Sequence, residues 1–317
     1  MENDIRVLAV IINYKTPELV IQAVNSLLND LSKAKDRITI VDNNSSDGSI
    51  GILQQAINEN AWVGFVNLIC AEINGGFSYG CNLGINSGKA QFYFLLNSDA
   101  YIRNNAIDEL LNCFSLHSNA GIIGSRLEYD DGVAQDSCFV NLTPWHELIK
   151  TGGTKYINWI LKKTFNIDEI GISSKNIVFS PDWVSFACVL IRHDVIKSIG
   201  LMDEGFFMYR EDNDYCRQVR QKGWDVLYCP SSKVVHLNLG FSKNHKIRRL
   251  PHFYYHSRSR YYVKYYGRLG LLSANFLWTC GRVIHFFREM LGNKAMNVHA
   301  LAWRDIWTGS LTAFKIK

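Results

Sequence analysis

Short apolar runs rich in β-branched residues alternate with stretches of helical spacing through the first half of the chain, the pattern of βαβ units and a largely parallel sheet. The runs predict strands at 7–12, 38–41, 63–70 and 92–96. Behind the first come Thr16, Pro17 and Glu18. These are a capping residue, a proline with its φ preset for a first turn and an acid matched to the helix dipole, so a helix starts there. Behind the second strand, Asp42-Asn43-Asn44-Ser45-Ser46-Asp47-Gly48 is a polar turn whose side chains can bond their own backbone. It stands at the carboxyl end of a strand, where open α/β sheets receive ligands. Periodicity weakens over 130–180, which reads as loops and short helices lying over the sheet. Regular structure resumes with a strand at 183–191, a helix from Asp194 and strands at 226–229 and 234–237. The sequence holds no internal repeat and no low-complexity segment.

Charge changes this picture at one place. The 317 residues carry a formal charge of +5. Residues 248–317 hold 12 Lys and Arg against 2 acids, or +10, and the rest holds 22 against 27, or −5. A basic tail on an acidic body argues against nucleic acid as a general partner and for one local electrostatic task. The eight cysteines stand singly, without C-x-x-C pairs, and read as buried thiols of a reducing compartment. Met1 to Arg6 leads into an apolar strand with no basic n-region or cleavage site, so the expected location is the cytoplasm.

Four places carry chemistry. The strand at 92–96 stops in Asn97-Ser98-Asp99. A carboxylate at a strand end can hold a Mg2+ or Mn2+ ion that neutralises a departing diphosphate, although the same residues also serve as a turn before a helix near Ala106. Next, Phe206-Phe207-Met208-Tyr209-Arg210 leads to Glu211-Asp212-Asn213-Asp214 and a helix ending near Lys222, with Gly223 at its C-cap. Extending the apolar face of Tyr215, Cys216 and Val219 towards the N-terminus reaches Asp212. Asp212 is therefore expected to point inward, with Glu211 and Asp214 off that stripe and Asp214 within reach of Arg217. A partly desolvated carboxylate there suits a general base for a sugar hydroxyl, and a helix-dipole partner is the alternative. His236, at the end of a strand, is a core histidine or a second metal ligand. Finally, Asn74-Gly75-Gly76-Phe77-Ser78-Tyr79-Gly80-Cys81-Asn82 is a glycine-rich entry to a helix, either a tight loop or a place where backbone amides meet phosphate or ribose.

Taken in order, Asn13-Tyr14, the 42–48 turn, Asn97-Ser98-Asp99, the Glu211-Asp212 pair and His236 resemble the inverting glycosyltransferases of family 2. That family has the GT-A fold, a Rossmann-like mixed sheet flanked by helices, and the match spans about residues 7–241. The resemblance implies that Asp42 contacts the nucleobase and that Asn13, Tyr14, Asn74, Gly75, Asn82 and Asn97 line the donor pocket. It implies that Asp99 and His236 hold a divalent metal, Mg2+ or Mn2+, and that Asp212 is the base with Glu211 orienting it. Trp183, in a segment matching the acceptor-side wall, would stack on a sugar face. Asn97 stands where the family's D-x-D motif has its first acid, which leaves more of the metal to Asp99. The subgroup it most resembles is the bacterial rhamnosyltransferases of polysaccharide assembly, with dTDP-rhamnose as donor.

The expected domains are 1–247, catalytic, and 248–317, a helical extension. The extension mixes Tyr, Trp and Phe with Arg and Lys, as interfacial helices do, and no stretch reaches the roughly 20 apolar residues of a span. It is expected to lie on an anionic membrane surface or to pack on the catalytic domain. A polyprenyl-diphosphate-linked glycan is the expected acceptor. Two other readings remain at this point. One is a nucleotidyltransferase, which would need a glycine-rich loop where Asn13-Tyr14-Lys15-Thr16-Pro17 stands. The other is a silent glycan-binding protein.

Overall fold

The computed structural model describes residues 5–152, 176–238, 249–292, 299 and 301–313. In chain order the strands are β1 (Ile5–Asn13), β2 (Arg37–Asp42), β3 (Val66–Cys70), β4 (Ala90–Asn97), β5 (Ala100–Ile102), β6 (Ala120–Glu128), β7 (Cys138–Phe139), β8 (Trp183–Val184), β9 (Cys188–Arg192) and β10 (Asp225–His236). The helices are α1 (Pro17–Leu27), α2 (Ser49–Glu59), α3 (Gly76–Ile85), α4 (Ala106–Leu116), α5 (Pro144–Gly152), α6 (His193–Ile199), α7 (Glu211–Gln221), α8 (His252–Met290) and α9 (Ala302–Ala313).

Eight strands form one sheet in the order β3-β2-β1-β4-β9-β6-β10-β5. The first four are mutually parallel, as the βαβ pattern predicts, but β9 runs antiparallel to both β4 and β6, and β5 antiparallel to β10. The sheet is therefore mixed. Period-two alternation fills a layer on each face. Val7, Ala9 and Ile11 of β1 pack with α1, α2 and α4, whereas Leu8 and Val10 pack with α3, α6 and α7.

Four predicted strands differ from what forms. Residues 63–65 do not join β3, because Ala61 and Gly64 take positive φ and the Phe65 amide bonds the Trp62 carbonyl, closing a turn that seats Trp62 and Phe65 in the core. The run 183–191 splits into β8 and β9, since Ser185 turns the chain and its hydroxyl accepts the Ala187 amide. The runs 226–229 and 234–237 belong to one strand, β10, whose register against β6 shifts between Cys229 and Lys233.

The described chain divides into two compact units: 5–139 with 176–207 and 211–238, and 140–152 with 208–210, 249–292 and 301–313. The first holds the sheet. The second is helical, with α5 and α9 both packed on α8, and Arg258 of α8 buried against Glu147 of α5. No helix among the described residues is long and apolar enough to cross a membrane.

Candidate active site

The sheet register gathers the polar strand ends. Asn13 lies opposite Asp42, and Ile12 opposite Asn97, so the carboxyl ends of β1, β2 and β4 form one edge. At its floor Asp42 is fully buried: Oδ2 accepts from Asn13 Nδ2 at 2.6 Å and from Ser45 Oγ at 2.6 Å, and Oδ1 from the Ser45 amide at 3.0 Å. A nucleobase cannot reach this carboxylate without moving the 43–48 turn aside. The expected base contact is therefore replaced by a scaffold role, in which Asp42 holds Asn13 and the turn together. Asn13 is equally buried, and its Oδ1 accepts the Thr16 amide at 3.2 Å. Tyr14, by contrast, is exposed at the rim, with Lys15 Nζ 5.2 Å from its ring centre.

The glycine-rich entry to α3 is tight for an internal reason. The Phe77 amide donates to the Phe207 carbonyl at 2.7 Å, and a Cβ on Gly76 would stand 2.0 Å from that oxygen at φ +87. Only glycine fits there. Asn74 Oδ1 accepts from Asn43 Nδ2 at 3.0 Å and from the Gly76 amide at 3.1 Å, which ties the β2 turn to the start of α3. Asn82 is buried and clasps the loop before α7: Nδ2 donates to the Met202 carbonyl and Glu204 Oε1, both at 2.9 Å, and Oδ1 accepts the Met202 amide at 3.0 Å. It too departs from the expected ligand contact, because these bonds seal its amide inside the fold.

Asp99 and His236, 137 positions apart in sequence, stand side by side. Antiparallel pairing sets His236 opposite Ala100, and the Leu237 amide donates to the Asp99 carbonyl at 2.8 Å. This brings His236 Nε2 to 3.4 Å from Asp99 Oδ1, with side chains 15% and 17% exposed. On its other side, His236 Nδ1 faces Gln135 Oε1 at 3.3 Å. Nearby Glu128 is committed elsewhere, to Arg103 at 3.1 Å and Arg126 at 2.9 Å.

At the start of α7 the expected directions are reversed. Glu211, Asn213 and Asp214 are buried, and Asp212 is the half-exposed member, its Oδ1 accepting the Asn213 amide at 2.8 Å. The stripe fails as a guide because the helix packs on β6, β8, β10 and α6, so burial in its first turn is not confined to one face. The Glu211 charge acts, after burial, to push the Cys81 thiol of α3 well above its ordinary range, which marks the side it faces. Asp214 accepts from Gln218 Nε2 at 2.7 Å. The two residues preceding Glu211, Tyr209 and Arg210, take φ of +69 and +76, a left-handed pair that costs roughly 1–3 kcal/mol per residue. Trp183 is only 8% exposed, and Phe139 covers one face of its ring at 4.1 Å. It forms part of a buried wall, not an open stacking platform.

The model of the family described as "Glycosyl transferase family 2" matches residues 8–167. The chain belongs to that family. This glycosyltransferase is 26% identical over 273 residues to the N-acetylglucosaminyl-diphospho-decaprenol L-rhamnosyltransferase of Mycobacterium tuberculosis, covering 80% of this chain and 83% of the relative. To the dTDP-rhamnosyl transferase RfbF of Shigella flexneri it is 24% identical, over 72% of this chain and 68% of that one. Among solved structures, the mannosyltransferase PcManGT of Pyrobaculum calidifontis, in complex with GDP-Man and Mn2+, superposes with TM-score 0.57 at 11% identity, covering 99% of this chain and 82% of that chain. GalNAc-T7 with UDP, GalNAc and Mn2+ superposes with TM-score 0.55 at 15% identity, over 83% of this chain and 51% of that one. The transferase thus has the GT-A fold.

Two contributors to this glycosyltransferase's site escaped the sequence. Phe207 acts through its carbonyl, which leaves no signature in a side chain. Gln135 lies in the weakly periodic stretch after β6, where nothing marks it as polar for a purpose.

Proposed function

We propose that the enzyme transfers rhamnose from dTDP-rhamnose to a polyprenyl-diphosphate-linked glycan, with inversion at the anomeric carbon, in the assembly of a cell-surface polysaccharide such as an O-antigen or capsule. The observation that carries the reading is the meeting of Asp99 and His236, 3.4 Å apart, near the sheet edge where Asn13, Asp42 and Asn97 stand in register. The names of the mycobacterial and Shigella relatives support the sugar, and the former supports the lipid-linked acceptor.

The pair fits a divalent cation. It offers one carboxylate and one imidazole, and among the described residues no group of three His, Cys, Asp or Glu completes a protein cage. Mg2+ and Mn2+ sites of this kind leave positions for substrate phosphate and water. When bound, the ion neutralises charge on the departing diphosphate. The remaining work falls to the chain. Asp212 takes the acceptor hydroxyl proton while the new bond from that oxygen to the anomeric carbon forms. The bond to the diphosphate breaks, and its electron pair leaves with the nucleoside diphosphate. Half-exposure suits this task, since a base must be touched by the incoming hydroxyl. Glu211, buried next to it in sequence, orients the turn, and Tyr14 at the rim is the accessible aromatic for the donor base.

The helical unit supports a peripheral place on the inner face of the cell membrane. Beyond a break in α8 at Gly267 (φ +68), Leu269, Leu272, Phe276, Val283, Phe286, Phe287 and Met290 are all exposed, at spacings that keep them on one helical stripe. A basic segment with such a stripe suits anionic lipid at headgroup depth.

Asp212→Asn is expected to lower transfer by about 10²–10⁴-fold while calorimetry shows donor affinity little changed. Loss of donor binding with unchanged turnover of what binds would refute the assignment. A panel of nucleotide sugars, with and without Mn2+, tests the donor: faster turnover of another sugar overturns dTDP-rhamnose.

A further inference from the structure

Gln135 is buried, 7% exposed, and its backbone is fixed first. The 129–132 turn closes through the Gly132 amide to the Tyr129 carbonyl at 2.9 Å, and the Gln135 amide then bonds the Leu127 carbonyl at 2.8 Å. Its side-chain nitrogen spends both hydrogens on carbonyls, that of Glu128 at 3.0 Å and that of His236 itself at 2.6 Å. Those two acceptors settle which end of the amide is which, because a flipped amide would set its oxygen against two carbonyl oxygens. The oxygen is therefore the atom that faces His236 Nδ1 at 3.3 Å.

An amide oxygen can only accept, so Nδ1 carries a hydrogen. In the neutral ring Nε2 is then a bare lone pair, pointed at Asp99 Oδ1 at 3.4 Å. Two acceptors at that distance repel unless something positive lies between them. A divalent cation taken up by both atoms would remove that repulsion.

We infer that Gln135 is a positioning residue of the metal site: it holds His236 in the Nδ1–H tautomer and so commits Nε2 to a cation shared with Asp99. The inference rests on the metal reading proposed above. Gln135 acts from behind the histidine, with both ends anchored to the backbone of the strands it joins, β6 and β10. The ring and the chain beneath it are thereby held by one side chain. Outer partners of this kind tune a metal ligand's orientation and basicity.

Two measurements test it. In metal-free protein labelled at histidine nitrogen, two-bond nitrogen–proton correlation spectra report the tautomer of His236. The wild type is expected as Nδ1–H, and Gln135→Met, similar in length but without a hydrogen-bonding amide, as a mixture richer in Nε2–H. Binding of Mn2+ alone, followed by electron paramagnetic resonance of the free ion, is expected to weaken by about 10–100-fold in Gln135→Met. Gln135→Glu, which offers an acceptor to Nδ1–H but sets its second oxygen against the Glu128 and His236 carbonyls, is expected not to restore the wild-type affinity. A wild-type His236 found as Nε2–H overturns the inference without recourse to any variant. So does a Gln135→Met protein that keeps both tautomer and Mn2+ affinity. A wild type with the Nδ1–H tautomer but no Mn2+ binding overturns instead the metal reading on which the inference stands.

Discussion

Two pairs of opposed ionisable side chains, one taken from each unit, are built to different ends. In the helical unit Arg258 Nε meets Glu147 Oε1 at 3.0 Å, with side chains 3% and 7% exposed. Tyr262 donates to the same oxygen at 2.8 Å, and Arg258 Nη1 donates to Asn275 at 2.8 Å. Burial alone would raise the Glu147 carboxyl, yet Arg258, Lys150 and Tyr262 outweigh it and hold the group below its ordinary value. In the sheet unit, Asp99 and His236 stand further apart and more exposed, with Nε2 3.4 Å from Oδ1. A buried pair ringed by partners holds a fold together, whereas the more open pair is, under the metal reading proposed above, the place for a third charge.

The largest expected effect comes from breaking the buried pair. Glu147→Gln leaves the Arg258 charge buried and uncompensated, a loss of about 3–5 kcal/mol by urea or thermal unfolding. Glu147→Leu with Arg258→Met removes both charges and is expected to regain most of it, and the cycle isolates the coupling. The sign with pH follows. Because the folded Glu147 lies below its ordinary value of 4.5, its contribution is complete above about pH 4.5 and disappears as pH falls through the lower folded value. Wild-type stability should therefore decline on acidification more steeply than that of the double variant. A wild type and double variant with parallel acid profiles would place the pair among the neutral contributions.

The sheet unit is sensitive to backbone approach more than to charge. Gly76 and Gly48 share a positive φ, +87 and +90, but a Cβ at Gly76 would meet the Phe207 carbonyl at 2.0 Å and one at Gly48 nothing within 4 Å. Gly48→Ala is expected to cost about 1–2 kcal/mol from the left-handed backbone alone. Gly76→Ala pays the same and must also displace the loop that carries Phe207, so it should lose more stability and, in addition, donor affinity. Equal losses for the two variants would deny the close contact between α3 and that loop.

The sequence exposed the site by its strand ends and concealed it where partners lie across the fold. Asn13, Asp42, Asn97 and Asp99 were legible because an apolar run that stops abruptly in polar residues announces the carboxyl edge of a parallel sheet. What those residues do there was not legible. Asp42 and Asn82 spend their polar atoms on the protein itself, and for Asn82 this depends on Met202, which comes from outside any local pattern. The period of α7 misled about Asp212, since a helix start enclosed by several elements has no single inward stripe. Gln135 gave no sign, because its meaning lies wholly in two carbonyls and a ring that β6 and β10 bring to it. The mixed direction of the sheet was equally hidden, as β9 reads like any apolar strand and only its pairing with β4 and β6 runs it backwards.

The smallest expected effect on stability bears on the outward side of the helical unit. Phe276 and Phe287 are 63% and 58% exposed, so replacing both with Glu removes little packing and should move unfolding by no more than about 0.5 kcal/mol per site. On anionic vesicles the same change should be severe. Each ring inserted at headgroup depth is worth roughly 1.5–3 kcal/mol, and each added carboxylate opposes the lipid charge, so the double variant should lose at least about 100-fold in vesicle partitioning measured by sedimentation. Phe276→Leu with Phe287→Leu keeps the apolar stripe and should retain most of the binding. Zwitterionic vesicles separate the two forces, because there only the apolar share remains and the basic residues bring no attraction. Unchanged sedimentation of the Glu variant would mean that this stripe faces another surface, and that the strongest energetic demands on the helical unit are those of its buried ion pair.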